Sequence, residues 1–80
     1  MSTHNRMQLN DFLQRRYGAG GPGLITWETA QAGPAHAPVW TMVLRIRGVV
    51  WGQAAGGRQG EAMEAAAGQA LSTILQGYQP

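Results

Sequence analysis

The sequence predicts an α+β domain, α-β-β-β-α, with two helices packed on one face of a three-stranded antiparallel sheet. Three observations lead to this fold. Apolar residues recur at helical spacing near both ends of the chain, they alternate with a period of two in its centre, and glycine-rich breaks separate these segments. Helices on one side of a small antiparallel sheet form a common two-layer arrangement that buries the apolar face of each element.

The first helix is predicted from Asn5 to Tyr17. Its apolar residues fall on one face at helical spacing: Leu9, Phe12 and Leu13. Asn5 is expected to be the N-cap, and Gln8 three residues later completes a capping-box pattern. Gly18 is expected to end the helix, and the segment 19–23 is predicted to be a loop because it contains Gly-Gly-Pro-Gly.

The centre of the chain predicts three strands. The clearest is Val39 to Arg47, where apolar residues alternate with the others: Trp40, Met42, Leu44 and Ile46. Gly48 indicates a tight turn into a short partner strand, Val49 to Gln53, so that these two strands form a hairpin. The first strand is predicted from Leu24 to Thr29, and Ala30 to Pro38 is predicted to be a loop because it holds two prolines and a glycine.

The last helix is predicted from Gln59 to Gln76, after a small, flexible segment from Ala54 to Gly57. Alanines and one isoleucine recur every four residues, which indicates a helix lying close to the sheet: Ala62, Ala66, Ala70 and Ile74. Residues 1–4 are expected to form a disordered N-terminal tail and residues 78–80 a C-terminal tail. The predicted domain therefore covers residues 5–77.

The composition excludes several classes of function. Eighty residues allow one domain. The absence of cysteine excludes disulfides and thiol catalysis, and the two histidines are far apart in sequence, so neither a metal site nor a cofactor is predicted. No apolar run approaches the roughly 20 residues of a membrane span, and no signal peptide is recognised, so we expect an intracellular protein without membrane contact. No catalytic motif is present, and an enzyme is not expected.

Four motifs occur in order along the chain. Leu9 to Gln14 reads Leu-Asn-Asp-Phe-Leu-Gln, Trp27 is followed by an acid, Gly33 to His36 reads Gly-Pro-Ala-His, and the alanines of the last helix follow. In this order and spacing the motifs resemble the double-stranded RNA-binding domain over about residues 8–75. The resemblance implies binding to the shape of an A-form duplex rather than to its sequence, across about 16 base pairs.

The resemblance also implies which residues contact RNA. The first helix would reach a minor groove, the loop with Gly-Pro-Ala-His the next one, and the start of the second helix the phosphates between them. The implied contacts are Gln8, Asp11, Pro34, His36, Arg58 and Gln59, with Gln14 as a further residue of the first helix. The alternative for the first helix is a solvated polar face, and for His36 a role in holding its own loop.

The chain departs from the family at the start of the second helix. The family has three lysines there, and this chain has Gln59, Gly60 and Met63 in their places. One arginine and two glutamates, Arg58, Glu61 and Glu64, give that segment a formal charge of −1. Each lost phosphate contact removes about 0.9 from the log–log salt slope of binding, and losing two or three contacts lowers affinity by orders of magnitude at physiological salt. We therefore expect weak binding of duplex RNA.

A second function remains open from the sequence. The helices cover only one face of the predicted sheet, and Val43 and Val50 are assigned to the other face. An apolar outer face is typical of an interaction surface, whereas isolated exposed valines are common on any protein. The alternative prediction is a protein-interaction or homodimerisation module that keeps the fold without significant RNA binding.

Overall fold

The computed structural model describes residues 4–80. Its elements, in chain order, are α1 (Asn5–Tyr17), a 3-10 turn (Gly21–Leu24), β1 (Ile25–Ala32), β2 (Val39–Ile46), β3 (Val49–Gly56) and α2 (Gln59–Leu75). The strands form one antiparallel sheet in the order β1-β2-β3. The predicted α+β fold with α-β-β-β-α topology is confirmed.

The core lies where both helices meet one face of the sheet. Its buried residues come from α1, β2 and α2: Leu9, Leu13, Leu44, Ile46, Ala66, Ala67, Ala70 and Ile74. The alanines let α2 approach the sheet closely, as predicted. Gly52 of β3 is needed at the closest point, because a Cβ built on it would lie 2.1 Å from the carbonyl oxygen of Ala66.

Two strands are longer than predicted. β1 runs to Ala32, since its ladder with β2 continues through the pair Ala32↔Val39, and the predicted loop shrinks to residues 33–38. β3 runs to Gly56, which pairs with Trp40, so the segment predicted to be flexible belongs to the sheet. The physical reason is the same in both cases. Backbone ladder bonds to a well-formed central strand extend through alanine and glycine despite their low strand propensity.

The remaining boundaries differ from the prediction by a few residues. Leu24 belongs to the 3-10 turn, which also occupies part of the predicted loop. β2 ends at Ile46, and Arg47 adopts φ 55° in the two-residue turn to β3. α2 ends at Leu75, one residue earlier than predicted.

The predicted capping box of α1 is wrong. Asn5 is the first residue of the helix rather than its N-cap, and His4, which holds the cap position, makes no side-chain cap hydrogen bond. The free amides at this end are instead bonded by Glu64 of α2. A carboxylate carries a full negative charge, so it is a stronger acceptor for a helix N-terminus than an amide side chain.

The structure describes the predicted C-terminal tail fully and the predicted N-terminal tail only at His4. Residues 1–3 of the N-terminal tail lie outside the described residues, and His4 directly precedes α1. At the other end, the Tyr17 hydroxyl donates a 2.6 Å hydrogen bond to the backbone oxygen of Pro80. The segment after α2 thus returns to the end of α1.

Candidate nucleic-acid interface

One end of the sheet carries both the β1–β2 loop and the start of α2. β1 ends at Ala32 opposite Val39, and β3 ends at Gly56 opposite Trp40, so these termini lie side by side. The loop 33–38 leaves from that end. Only two residues separate β3 from α2, which begins at the same end with Gln59.

The β1–β2 loop presents two of the predicted RNA contacts. The amide of Ala37 donates a 3.0 Å hydrogen bond to the carbonyl oxygen of Pro34, which closes a four-residue turn. Pro34 and His36 are both exposed within it. Proline fixes its own φ angle and the hydrogen bond closes the turn, so both restrict the backbone from which His36 projects.

Arg58 and Gln59 are exposed at the start of α2. Arg58 is the N-cap in extended conformation, and its side chain makes no cap hydrogen bond. Its Nε lies 3.7 Å from Oε2 of Glu61, with 84% and 65% of the two side chains exposed. A pair so exposed is weak and screened. The free amides of the first helical turn carry partial positive charge and add to the attraction for an anion.

A surface groove of about 670 Å³ runs along α1. Its lining comes mainly from one flank of α1 and the residue before it: His4, Arg6, Met7, Asn10, Asp11 and Gln14, with Glu64 across from them. Asp11 and Gln14 therefore line it, whereas Gln8 is exposed but does not. Asp11 also pairs with Arg15, whose Nε lies 3.1 Å from its carboxylate. The sequence interpretation missed Arg6, Met7 and Asn10.

Glu64 of α2, which lines this groove, accepts four hydrogen bonds from the start of α1. Its Oε2 accepts from the backbone amides of Asn5 and Arg6 at 2.7 and 3.3 Å. Its Oε1 accepts from Nε of Arg6 at 3.0 Å, and its carbonyl oxygen accepts from Nδ2 of Asn5 at 2.9 Å. Gly68 leaves room for this contact, because a Cβ there would lie 2.8 Å from Nδ2 of Asn5. The carboxylate thus caps α1 from a neighbouring helix.

The same bonds determine the pKa of Glu64. Partial burial acts to raise the pKa of this carboxyl, but hydrogen bonds from the Arg6 side chain and from the amides of Arg6 and Asn5, with the attraction of the Arg6 charge, lower it below its usual value. Glu64 is therefore ionised at neutral pH. Its negative charge faces the cation and the helix end that bind it.

The charge near the start of α2 consequently differs from the sequence count. Glu64 is 20% exposed and is paired with Arg6, which belongs to another segment of the chain. The side chain of Met63 also contacts Arg6, whose Nη1 lies 3.5 Å from its sulfur. The value of −1 for residues 58–64 counts Glu64 without the groups that neutralise it. Glu61 is the acid that remains exposed in this segment.

The outer face of the sheet holds the two valines assigned to a protein interface. Val43 is partly buried and pairs with Glu28 on one side and Gln53 on the other. Val50 is 46% exposed and pairs with Arg45, which forms an ion pair with Glu28. The valines therefore lie among polar and charged neighbours rather than in a continuous apolar surface.

Residues 4–80 contain no group of three or more His, Cys, Asp or Glu side chains that could hold a metal ion. None of the helices in this range has both the length and the apolar character needed to cross a membrane.

Comparison with known proteins identifies the family. No curated protein is significantly similar in sequence. The solution structure of DRB4 dsRBD2 is similar, with a TM-score of 0.63 and 27% identity over 90% of this chain and 96% of that one. The family model described as "Double-stranded RNA binding motif" matches residues 6–74. This match spans all three strands and nearly all of both helices, and the chain therefore belongs to the double-stranded RNA-binding motif family.

Proposed function

We propose that this domain binds double-stranded RNA weakly and without sequence preference, through α1, the β1–β2 loop and the start of α2. The observation that carries the proposal is the common placement of these elements. The loop and the start of α2 share one end of the sheet, and Glu64 bonds the start of α1 to the early turns of α2. Family membership supports duplex RNA as the ligand.

The shape of the duplex explains why such a surface would not read sequence. An A-form helix exposes 2′-hydroxyls and phosphates across a shallow minor groove, and these groups are the same for every base pair. Pro34 and His36 on the loop, and Asp11 in the α1 groove, are suited to hydrogen bonds or packing at a minor groove. Arg58 and Gln59 are suited to phosphates, one as a cation and the other as a neutral donor.

The weakness of binding follows from the few exposed cations at the start of α2. Gln59 and Gly60 bring no charge where the family has lysines, and Arg58 shares its charge with Glu61. Each phosphate contact contributes about 0.9 to the salt slope. By the same relation, two lost contacts make the fall in affinity between 50 and 200 mM salt about 12-fold smaller.

Fluorescence anisotropy with RNA duplexes of 20 base pairs tests this proposal. Two unrelated sequences should bind equally, a DNA duplex of the same sequence should bind less tightly because it lacks 2′-hydroxyls, and affinity should fall with salt. His36→Ala and Arg58→Gln should each weaken binding. Arg47→Gln is the matched control, because Arg47 lies in the turn at the opposite end of the sheet. Absence of saturable binding at low salt would overturn the proposal.

The competing proposal is a homodimer or protein partner on the outer face of the sheet, with Val43 and Val50 at its centre. It is supported by the partial exposure of both valines, with Val50 46% exposed and Val43 half-buried. The ion pair between Arg45 and Glu28 opposes it, since burying that pair in an apolar interface would be costly. Sedimentation at several concentrations distinguishes the two. Concentration-dependent association abolished by Val43→Lys would favour the interface, and a strict monomer unaffected by it would exclude a dimer there.

A further inference from the structure

We propose that Arg6 of α1 is a phosphate contact that occupies the place of the lysine missing at Met63. This inference rests on the proposed RNA binding. It adds Arg6 to the proposed interface as a cation. Arg6 lies 57 residues from Met63 in sequence and outside the segment where the family carries its lysines. The assignment follows from the position of the Arg6 side chain, from its available hydrogen-bond donors and from its charge.

The position of Arg6 is set by α2. Met63 follows Gln59 by one helical turn, so the two side chains lie on one face of α2 about 6 Å apart along its axis. The Nη1 of Arg6 lies 3.5 Å from the Met63 sulfur, and its Nε is bonded to Glu64 at 3.0 Å. The guanidinium therefore covers Met63, next in line after Arg58 and Gln59.

The Arg6 guanidinium retains hydrogen-bond donors for a further acceptor. A guanidinium has five N–H groups in a fixed planar fork. Among residues 4–80, one of them bonds to the Glu64 carboxylate and one contacts the Met63 sulfur. Three remain for an outside acceptor, and 43% of the side chain is exposed. The bond to Glu64 also restricts the rotamers of Arg6, which lowers the entropy lost when a phosphate binds.

The charge of Arg6 is not fully cancelled by Glu64. The carboxylate also accepts from the amides of Asn5 and Arg6 at the N-terminus of α1. A helix N-terminus is equivalent to about half a positive charge. The arginine, the carboxylate and the helix end together therefore leave about half a positive charge, at the border between the α1 groove and α2. An anion is attracted to this site in spite of the acid within it.

Arg6→Gln tests the assignment in the salt dependence of duplex RNA binding, measured by anisotropy with a 20-base-pair RNA between 50 and 200 mM salt. Loss of one phosphate contact should lower the slope by about 0.9, so the loss of affinity over this range should shrink by about 3.5-fold relative to the wild-type chain. Arg47→Gln removes the same charge at the far end of the sheet and should leave the slope unchanged. Arg6→Lys should retain most of it.

An exchange variant separates a phosphate contact from a structural role. Arg6→Gln combined with Met63→Lys moves the cation back to α2, and it should restore the slope lost in Arg6→Gln. A salt slope of Arg6→Gln alone that equals the slope of Arg47→Gln would overturn the assignment. So would an equal loss of affinity at every salt concentration, because that result describes damage to the fold. If the wild-type chain itself does not bind the duplex, the proposed function fails, a result distinct from an Arg6 variant that binds like the wild type.

Discussion

Replacing Glu64 with glutamine should destabilise the domain at neutral pH by about 2 kcal/mol. The carboxylate accepts two backbone amides of α1 and the Nε of Arg6. Loss of an N-cap typically costs about 0.5–2 kcal/mol, and a hydrogen bond to a charged group contributes about 1.5–3 kcal/mol. Glutamine retains one acceptor oxygen, but its NH₂ group faces donors, so we expect a cost near the top of the N-cap range.

Thermal unfolding followed by circular dichroism measures this cost. For a domain of this size, about 2 kcal/mol corresponds to a fall in Tm of about 8–16 °C. Glu61→Gln is the matched control, because it is the same substitution three residues away on an exposed side chain. An exposed ion pair contributes about 0–1 kcal/mol, so the control should melt within a few degrees of the wild-type protein. Equal melting of the two variants would refute the role of Glu64 as the cap of α1.

The pH dependence of stability gives an independent check with a defined sign. The folded-state pKa of Glu64 is lowered, so its contribution is fully present above the unfolded value of about 4.3 and is lost as pH falls through the folded-state pKa. The wild-type protein should therefore lose more stability than Glu64→Gln as pH falls below about 4.3. The two melting temperatures should converge at the lowest pH. A constant difference across the acid range would contradict the mechanism.

The other predictions concern the cations at the proposed RNA-binding surface and the packing of β3 against α2. Gln59→Lys with Gly60→Lys should strengthen duplex RNA binding and steepen the salt slope by about two units, whereas Met63→Lys alone should add less, because the new cation would lie beside Arg6. Anisotropy at several salt concentrations checks this, and equal gains from all three positions would refute the placement of Arg6. Gly52→Ala should destabilise the domain by about 1–3 kcal/mol, since its Cβ would lie 2.1 Å from the carbonyl oxygen of Ala66. An unchanged midpoint in urea unfolding would contradict the close contact.

Local patterns were sufficient to predict the elements but not where the strands end. The period of two in β2 and the four-residue repeat in α2 follow directly from which side chains face the core. Strand ends depend on a partner instead. Ala32 and Gly56 have weak strand propensity, and they are in strands because Val39 and Trp40 offer them ladder positions. Such pairings become visible only when neighbouring strands are in register.

The candidate site shows the same limit in its electrostatics. The exposure of His36, Arg58 and Gln59 could be predicted from a turn motif and from a helix start. The role of Glu64 could not, because its partner Asn5 lies 59 residues away and no local spacing connects them. The capping-box pattern even favoured a different partner for the start of α1. A carboxylate from another helix replaces that local cap because it brings a full charge to the helix end.

The number that governs RNA binding is therefore the charge within a screening length of the phosphates rather than the charge of a sequence window. At physiological salt this length is about 8 Å, and charges in contact fall well within it. Glu64 and Arg6 are 3.0 Å apart, so an approaching phosphate meets both of them together with the N-terminus of α1. Glu61 is the acid that such a phosphate meets with little compensation, because its partner Arg58 is itself a proposed phosphate contact. If charge acts in this way, Glu61→Gln should tighten RNA binding, and Glu64→Gln should not. A window count treats the two acids alike and predicts the same gain from both, so comparing their RNA affinities at low salt decides between the two descriptions.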